Sequence, residues 1–466
     1  MIMELKGACR TGEFTSKKTY PGAKFAYTVH LPEDVNEDGE YGLLVTHDGL
    51  NMTEVLALQD LAAAGEAPVC VSVGVMPGKL PSTISTGYER GLRMNTYDMY
   101  SPNYANFLAD ELIPFIRKKY GVNISASPDL HMISGGSSGG ISAWNAAWFR
   151  NDMFRRVYMS SPSFLSMGKG DELLNLMRKM ETKPIRVFVD YSENEPDDYF
   201  GSSYCAAETC IRALQFAGYD MMSEYHPGEG HCSRVNDPEH ALKRMRFLWN
   251  GWKDAPVARK ALSKRMKEVV SENSSWEAAA RICRAKEWAV SDGDFTAEGP
   301  YRPKGSMIWF EKANGEKVVA ADGFEEITAV AVSSDKWRLY IADKRRACIY
   351  AATIWPDGSL DKPYVHCALH QKTDFTYPGA FSICVDNQDR IYAATEIGIQ
   401  TVRSFGLIDA ILEHPENLQT EKVALSADGY LYARTEEGSF RRKLNNKQPD
   451  DLTVAAKPFP VGYYDD

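Results

Sequence analysis

Ser137, His231 and the carboxylates between them are the residues whose types and order along this chain permit nucleophilic catalysis. Ser137 lies in DLHMISGGSSGGISAW, residues 129–144, with glycines two positions away on either side. A hydroxyl is a weak nucleophile until an imidazole accepts its proton, and a carboxylate behind that imidazole fixes its tautomer and stabilises the cation. The glycines matter because a nucleophile raised on a sharp strand-to-helix turn has a strained backbone with no room for side chains two residues before or after it. Two registers satisfy G-x-S-x-G, one centred on Ser137 (Gly135 to Gly139) and one on Ser138 (Gly136 to Gly140). The first is preferred, because it puts Gly139 and Gly140 in the first helical turn behind the serine. His231 stands in HPGEGHCSR, a glycine-bordered loop, and the earlier segment DYSENEPDDYFG carries Asp190, Glu193, Glu195, Asp197 and Asp198. Serine, then acid, then histidine is the chain order of a hydrolase triad. His226 is the rival base, and Cys232, beside His231, reads as a small apolar residue. The backbone N–H of Ser138, with one from Gly49 or Leu50 in THDGLNM, is placed to hold a developing oxyanion. His47 in that segment lines the pocket or serves the turn.

These side chains need elements that end in one place. Leu130, Met132 and Ile133 fit a buried strand, and 141–149 fits a helix directly behind it. Strands are expected over 25–30, 42–46, 69–75, 157–160, 185–189 and 221–225, with helices over 103–120, 172–179 and 206–216. Pro114 is expected to kink the first helix. Alternation of strands and helices implies a parallel sheet whose carboxyl ends carry the ligand-binding loops. Residues 76–96 have the glycine, proline and serine content of a long loop able to wall a pocket.

Bulk properties narrow the class. At 466 residues the chain exceeds one ordinary core, so two or three domains are expected. A net charge of -10 argues against a nucleic-acid surface, and no apolar run is long enough to cross a bilayer. The first residues, MIMELKGACRTGEF, lack the basic-then-apolar pattern of a secretory signal, which leads to the expectation of a cytoplasmic protein. Nine cysteines without a C-x-x-C pair fit reduced thiols better than disulfides or zinc.

Residues 25 to about 252 resemble the enterochelin-esterase and feruloyl-esterase branch of the α/β-hydrolases, through THDGL, GGSSGGISAW followed by MFRRVYMSSPSF, RVFVDYSENE, ALQFAGYD and GEGHC. The resemblance implies a three-layer α/β-hydrolase sandwich without a cofactor and supports Ser137 as the third residue of a GxSxGG run. Glu195 stands where that branch often has its acid, with Glu193 and Asp197 as alternatives. It also implies a serine carboxylic-ester hydrolase acting on small-molecule or carbohydrate esters: those of sugars, siderophores or plant polysaccharides.

Beyond Trp252 the pattern changes. Val257, Leu262, Met266 and Val269 form an apolar stripe opposite Arg259, Lys260, Lys264 and Arg265, and Ser274 with Glu277 resembles a capping box before a second helix, so 253–290 reads as a helical connector. AVAVSSDKWRLYIAD, SICVDNQDRIYAAT and KVALSADGYLYART then repeat a strand, a polar turn and a second strand, a period typical of propeller blades. Residues 291–466 resemble the second half of a gluconolactonase or regucalcin propeller. A six-bladed ring needs about 240 residues, more than remain. That family holds a divalent metal through Asn and Asp, but Thr328 and Phe381 occupy the corresponding places and Glu298 only echoes the family's glutamate. The segment is therefore read as metal-free, used for covering a site, binding carbohydrate or forming a homodimer. The expected organisation is a hydrolase unit over 1–252, the connector, and a partial all-β propeller. The competing functions are a sugar lactonase using the propeller and an inactive binding or scaffold protein.

Overall fold

The structure, a computed structural model, describes residues 4–33, 39–84, 87–253, 257, 262–279 and 300–449. Two compact units divide it, Met1–Arg178 with Thr182–Ala261, and Lys179–Glu181 with Leu262–Asp466.

The first unit contains β1 (Ala8–Thr15), β2 (Lys24–Leu31), β3 (Gly42–His47), α1 (Met52–Ala63), β4 (Cys70–Val75), β5 (Lys79–Pro81), β6 (Glu89–Gly91), α2 (Asn103–Phe107), α3 (Ile113–Tyr120), β7 (His131–Gly136) and α4 (Ser138–Phe149). There follow β8 (Arg156–Ser160), α5 (Glu172–Lys179), β9 (Arg186–Asn194), β10 (Asp197–Asp198), β11 (Gly201–Ser202), α6 (Ser203–Ala217), β12 (Asp220–Gly230) and α7 (Pro238–Trp249). Ten strands form one sheet in the order β12-β9-β8-β7-β3-β4-β2-β5-β6, with β1 on β2. Strands β3, β4, β7, β8, β9 and β12 are parallel, and β1 and β2 run antiparallel at the far side. This is the α/β-hydrolase fold.

The local sequence explains the layers. β3 (GLLVTH) and β4 (CVSVGV) are buried at every position, the signature of strands covered on both faces. Helix α4 is buried from Ser138 to Trp148, as a helix without a polar face must be. On the opposite face, Leu58 and Leu61 of α1 and Met245 and Trp249 of α7 pack with Met132 and Phe188 of the sheet. Asn51 caps α1 by accepting the Glu54 N–H at 3.1 Å, and Asp237 caps α7 with Pro238 at its first turn.

Beneath this layer Arg244 and Glu54, both 0% exposed, form a 3.1 Å ion pair. Glu54 also accepts the Ser134 hydroxyl at 2.6 Å, so α1, α7 and β7 share one buried polar junction.

Two expectations change in detail. Residues 103–120 are helical, but a π-turn, Leu108–Leu112, separates α2 from α3. Pro114 has no N–H to give the carbonyl four residues back, and the wider turn absorbs the mismatch. Part of the expected loop 76–96 is the exposed hairpin β5–β6, followed by a second π-turn, Met94–Asp98.

The second unit contains α8 (Lys264–Val269), β13 (Glu277–Ala278), β14 (Tyr301–Lys304), β15 (Met307–Glu311), β16 (Lys317–Ala321), β17 (Ile327–Val332), β18 (Arg338–Asp343), β19 (Cys348–Thr353) and β20 (Tyr364–Ala368). Then come β21 (Ser382–Val385), β22 (Ile391–Thr395), β23 (Gly398–Val402), β24 (Ile408–Leu412), β25 (Lys422–Leu425), β26 (Tyr430–Arg434) and β27 (Ser439–Lys443). They make four small antiparallel sheets, β14–β16, β17–β20, β21–β24 and β25–β27, with β13 added to β27. Each sequence repeat is the first hairpin of one sheet, and β14, β17, β21 and β25 are successive neighbours. The second expected connector helix does not form in the described residues: Glu277 pairs with Arg441 of β27, and Ser274 donates to the Lys443 carbonyl at 2.7 Å. The edge of β27 offers these residues hydrogen-bond partners that outweigh an isolated capping box. Arg259, Lys260 and Glu298 lie outside the described residues. Among those residues no helix is long and apolar enough to cross a membrane.

Removing one partner of a buried ion pair leaves the other charge uncompensated. Arg244→Leu is expected to destabilise the first unit by roughly 3–5 kcal/mol, read as a lower midpoint in urea by tryptophan fluorescence. An unchanged midpoint would show that Glu54 is compensated elsewhere.

Candidate active site

Ser137 joins β7 to α4 with φ 56° and ψ -126°, in a region that residues other than glycine rarely occupy. Its N–H donates to the Ser160 carbonyl at 2.9 Å, and its own carbonyl accepts from Ser163 at 3.3 Å. A side chain at position 135 would place Cβ 2.3 Å from the Gly139 carbonyl oxygen, and one at 139 would place it 3.1 Å from His47 Cβ. Positions 136 and 140 are crowded as well, at 2.9 Å from Cys232 Sγ and 3.2 Å from Pro162 Cβ, so the register is marked by the positive φ of Ser137 itself and by the 2.3 Å approach at Gly135. Ser138, the first residue of α4, is buried and hydrogen-bonded to Asp98.

Glu195 and His231 each follow the end of a strand, and strand register brings them together. The parallel pair β9–β12 aligns Ser192 with His226, then Asn194 with Gly230, so β12 carries two extra residues between those points. Without them Glu229, not His231, would stand beside Glu195. Gly228 permits this bulge with φ 74°, and Glu193 fastens it by accepting the Gly228 N–H at 2.7 Å. Glu193 therefore holds the loop and is not the partner of the histidine.

Glu195 Oε2 meets His231 Nδ1, while Oε1 accepts the Ser192 N–H at 2.9 Å and the Ser161 hydroxyl at 2.5 Å. Burial opposes the charge on Glu195, but the bonds from His231, Ser161 and Ser192 outweigh it and hold its carboxyl below the usual range. His231 is pushed up to about 10, by its hydrogen bond with Cys232 first and with Glu195 second. At neutral pH the two side chains are an imidazolium and a carboxylate. The Glu195 side chain is 0% exposed and that of His231 28%, so the carboxylate is sealed and the ring reaches solvent.

The other acids and bases are placed elsewhere. Asp197 is exposed and pairs in β10 with Ser202. Asp190 lies within β9, buried, accepting from Tyr158 at 2.8 Å and from Ser160. His226 is held in β12, its ring 5.3 Å from that of His240. His47, the last residue of β3, donates from Nδ1 to the Ser134 carbonyl at 2.8 Å. Burial pulls it down to about 4, which keeps it neutral.

Two expected contacts take a different form. No hydrogen bond joins Ser137 to His231: the serine Oγ lies 3.0 Å from Ser163 Oγ. The histidine loop is nevertheless against the elbow, because Cys232 Sγ stands 2.9 Å from the point where a Cβ on Gly136 would be. Of the expected oxyanion donors, the N–H of Ser138 lies at the first turn of α4, where helical N–H groups have no intrahelical partner. Gly49 instead donates to the Val75 carbonyl at 3.3 Å, and the Leu50 nitrogen lies over Gly74 of β4, a strand further out. Asp48, with φ 58°, turns the chain away after β3, so His47 and Asp48 are the residues beside Gly139. Asp48 in turn is ion-paired with Arg93.

Among the described residues one group has the proximity of a metal site: Asp190, His226 and His240 bring ligand atoms within 4.8 Å of one another. Its chemistry does not fit a cation. Arg244 donates to His240 Nδ1 at 2.9 Å, which leaves the ring proton on Nε2, 2.9 Å from Glu224 and 3.5 Å from Asp190. An N–H has no lone pair to offer, and the guanidinium repels positive charge. Burial explains why Asp190 is pushed up to about 6 and, with Arg244, why His240 is pulled down to about 4.

Sequence reasoning missed Ser161 and Ser163, both within the MSSPSF run after β8, and the π-turn residues Tyr97 and Asp98. The serines sit two residues apart in a strand-end loop, the one local signal that marked them.

The family described as "Putative esterase" matches residues 19–344, running past the α/β unit into the sheets that follow. Similar solved structures include a ferulic acid esterase, at 22% identity over 53% of this chain and 98% of that one with a TM-score of 0.40. The BES protein from Bacillus cereus shares 19% over 53% and 97%, with a TM-score of 0.38. The enterobactin esterase FES from Shigella flexneri, in the presence of 2,3-Di-hydroxy-N-benzoyl-glycine, shares 16% over 54% of this chain and 62% of that one, with a TM-score of 0.39. This chain thus spans under two thirds of that enzyme. No curated protein matches.

The cause of the raised His231 basicity can be tested directly. In Cys232→Ala the imidazole should titrate below about 10, followed by NMR of nitrogen-labelled histidine; an unmoved titration would assign the whole effect to Glu195.

Proposed function

The chain belongs to the esterase family that matches it, and on that premise we propose that it is a serine carboxylic-ester hydrolase working through an acyl-enzyme on Ser137. The observation that carries this reading is the strained, glycine-flanked Ser137 at the same sheet edge as the Glu195–His231 pair. His231 in its neutral form takes the Ser137 proton as Oγ bonds to the ester carbonyl carbon. The carbonyl oxygen becomes an oxyanion beside the Ser138 N–H, worth roughly 3–4 kcal/mol for one such donor. Collapse expels the alcohol, which receives the proton from His231. Water, giving its proton to the same ring, then attacks the acyl carbon; Ser137 leaves with that proton and the carboxylic acid is released. Glu195 remains ionised throughout and holds the ring. The separation of Ser137 from His231 in the free structure closes when substrate displaces the Ser163 contact.

The motifs shared with enterochelin and feruloyl esterases support a substrate that is an ester of a carbohydrate or of a siderophore-type molecule. The second unit enters as a partial propeller without chemistry of its own, serving structure or self-association. Support comes from its four short sheets with adjoining first strands, and from Thr328, whose hydroxyl is committed to the Ala380 carbonyl at 2.6 Å.

A fluorophosphonate should label the peptide containing Ser137. Ser137→Ala should abolish labelling and lower turnover of acetyl, feruloyl or glucuronoyl sugar esters by at least about a thousandfold, whereas Ser138→Ala should still be labelled. Labelling lost only in Ser138→Ala would reverse the register.

The base must be neutral and its proton is held up to about 10, so kcat/KM should climb with pH across the neutral range toward that value. A plateau reached near pH 6 would contradict the imidazolium resting state.

A further inference from the structure

Ser161 has no part in the steps above, yet it touches both the acid and the residue that follows the base. It is 1% exposed, and a hydroxyl has one proton to give and lone pairs to accept with. The proton goes to Glu195 Oε1 at 2.5 Å, and the oxygen receives the N–H of Cys232, the residue after His231, at 3.0 Å. Its backbone stands at φ 43°, a conformation that costs a residue with a side chain roughly 1–3 kcal/mol. That conformation is retained by a 2.7 Å bond from its N–H to the Asp190 carbonyl. Cys232 is strained as well, at φ 56°.

We infer that Ser161 is a positioning residue, whose single hydroxyl aims the Glu195 carboxylate and fixes the His231 loop against it. The terminal torsion of a glutamate is soft, with broad wells, so a carboxylate held at one point can rotate. With Ser192 and Ser161 both on Oε1, rotation is blocked and Oε2 stays on His231 Nδ1. Without the hydroxyl, Oε1 keeps one donor and the Cys232 N–H loses its acceptor. Imidazole and carboxylate then lose their common anchor. The inference rests on the triad reading of Ser137, Glu195 and His231.

The test compares Ser161→Ala and Ser161→Gly, each alone and combined with Glu195→Ala, with Ser137→Ala alongside. Readouts are kcat and KM on 4-nitrophenyl acetate, thermal midpoint, and the downfield proton resonance of the His231–Glu195 hydrogen bond. Both Ser161 variants should lower kcat by about 10- to 100-fold, the scale of a small misplacement of catalytic groups, with KM within about twofold. The downfield resonance should broaden or move while the thermal midpoint holds. In the Glu195→Ala background the same changes should add nothing, because the hydroxyl acts through that carboxylate. Normal kcat in Ser161→Gly would assign the residue a backbone role only, and an equal penalty with or without Glu195 would place its effect elsewhere. Either result overturns the inference. Full turnover in Ser137→Ala would sink the triad reading and this inference with it. An inert Ser137→Ala beside fully active Ser161 variants would sink this inference alone.

Discussion

The turn that holds Ser137 at its strained backbone angles has no room for a Cβ at position 135 and little at position 139. The β7–α4 turn is so tight that position 135 faces the carbonyl of 139 at a distance no Cβ tolerates, and position 139 faces β3. Strain of this kind persists only where the surroundings over-determine it. Here they are the Ser160 carbonyl, the Ser163 N–H and a helix buried along nearly its whole length. Once the turn is fixed, the hydroxyl stands above the carboxyl edge of the sheet, and every other feature of the site is positioned relative to it.

The same edge concentrates charge in an orderly way. Glu195 is sealed and ionised, His231 is half open and protonated, and the serines at 160, 161 and 163 bond respectively to Asp190, to Glu195 and to the nucleophile Ser137. Below it, the Glu54–Arg244–His240–Asp190 network ties α1, α7, β8 and β9 together without facing the hydroxyl. Its paired groups tie the conformation of the strand ends to the integrity of the network, although Arg244 Nε and His240 Nε2 are left without a hydrogen-bond partner among the described residues. The guanidinium and the imidazole proton make it a structural junction, although its residue types alone would suit a metal.

The second unit follows different rules. Short hairpins repeat, and its turns are closed by side chains of their own, as where Ser333 donates to Asp335 at 2.5 Å and Tyr392 to Asp386 at 3.0 Å. Such modules are legible from the sequence because each is local. The connector was less so: Ser274 and Glu277 carry a good helix-start signal, yet the strand edge of β27 captured them.

The sequence by itself determined the elbow, the alternation that builds a parallel sheet, the order of serine, acid and histidine, and the repeats of the β-rich unit. Each is written in residues a few positions apart, where propensity and steric exclusion act directly. Only the tertiary structure decided which carboxylate faces His231, which backbone amides stand near the serine, and that Ser161 bridges the acid and base loops. Glu193, Glu195 and Asp197 are indistinguishable as types; a two-residue bulge in β12, paired across to β9, selects Glu195. Gly49 and Leu50 are displaced because Asp48 turns the chain toward β4. Registers between strands depend on distances across the fold, and no short window of sequence contains them.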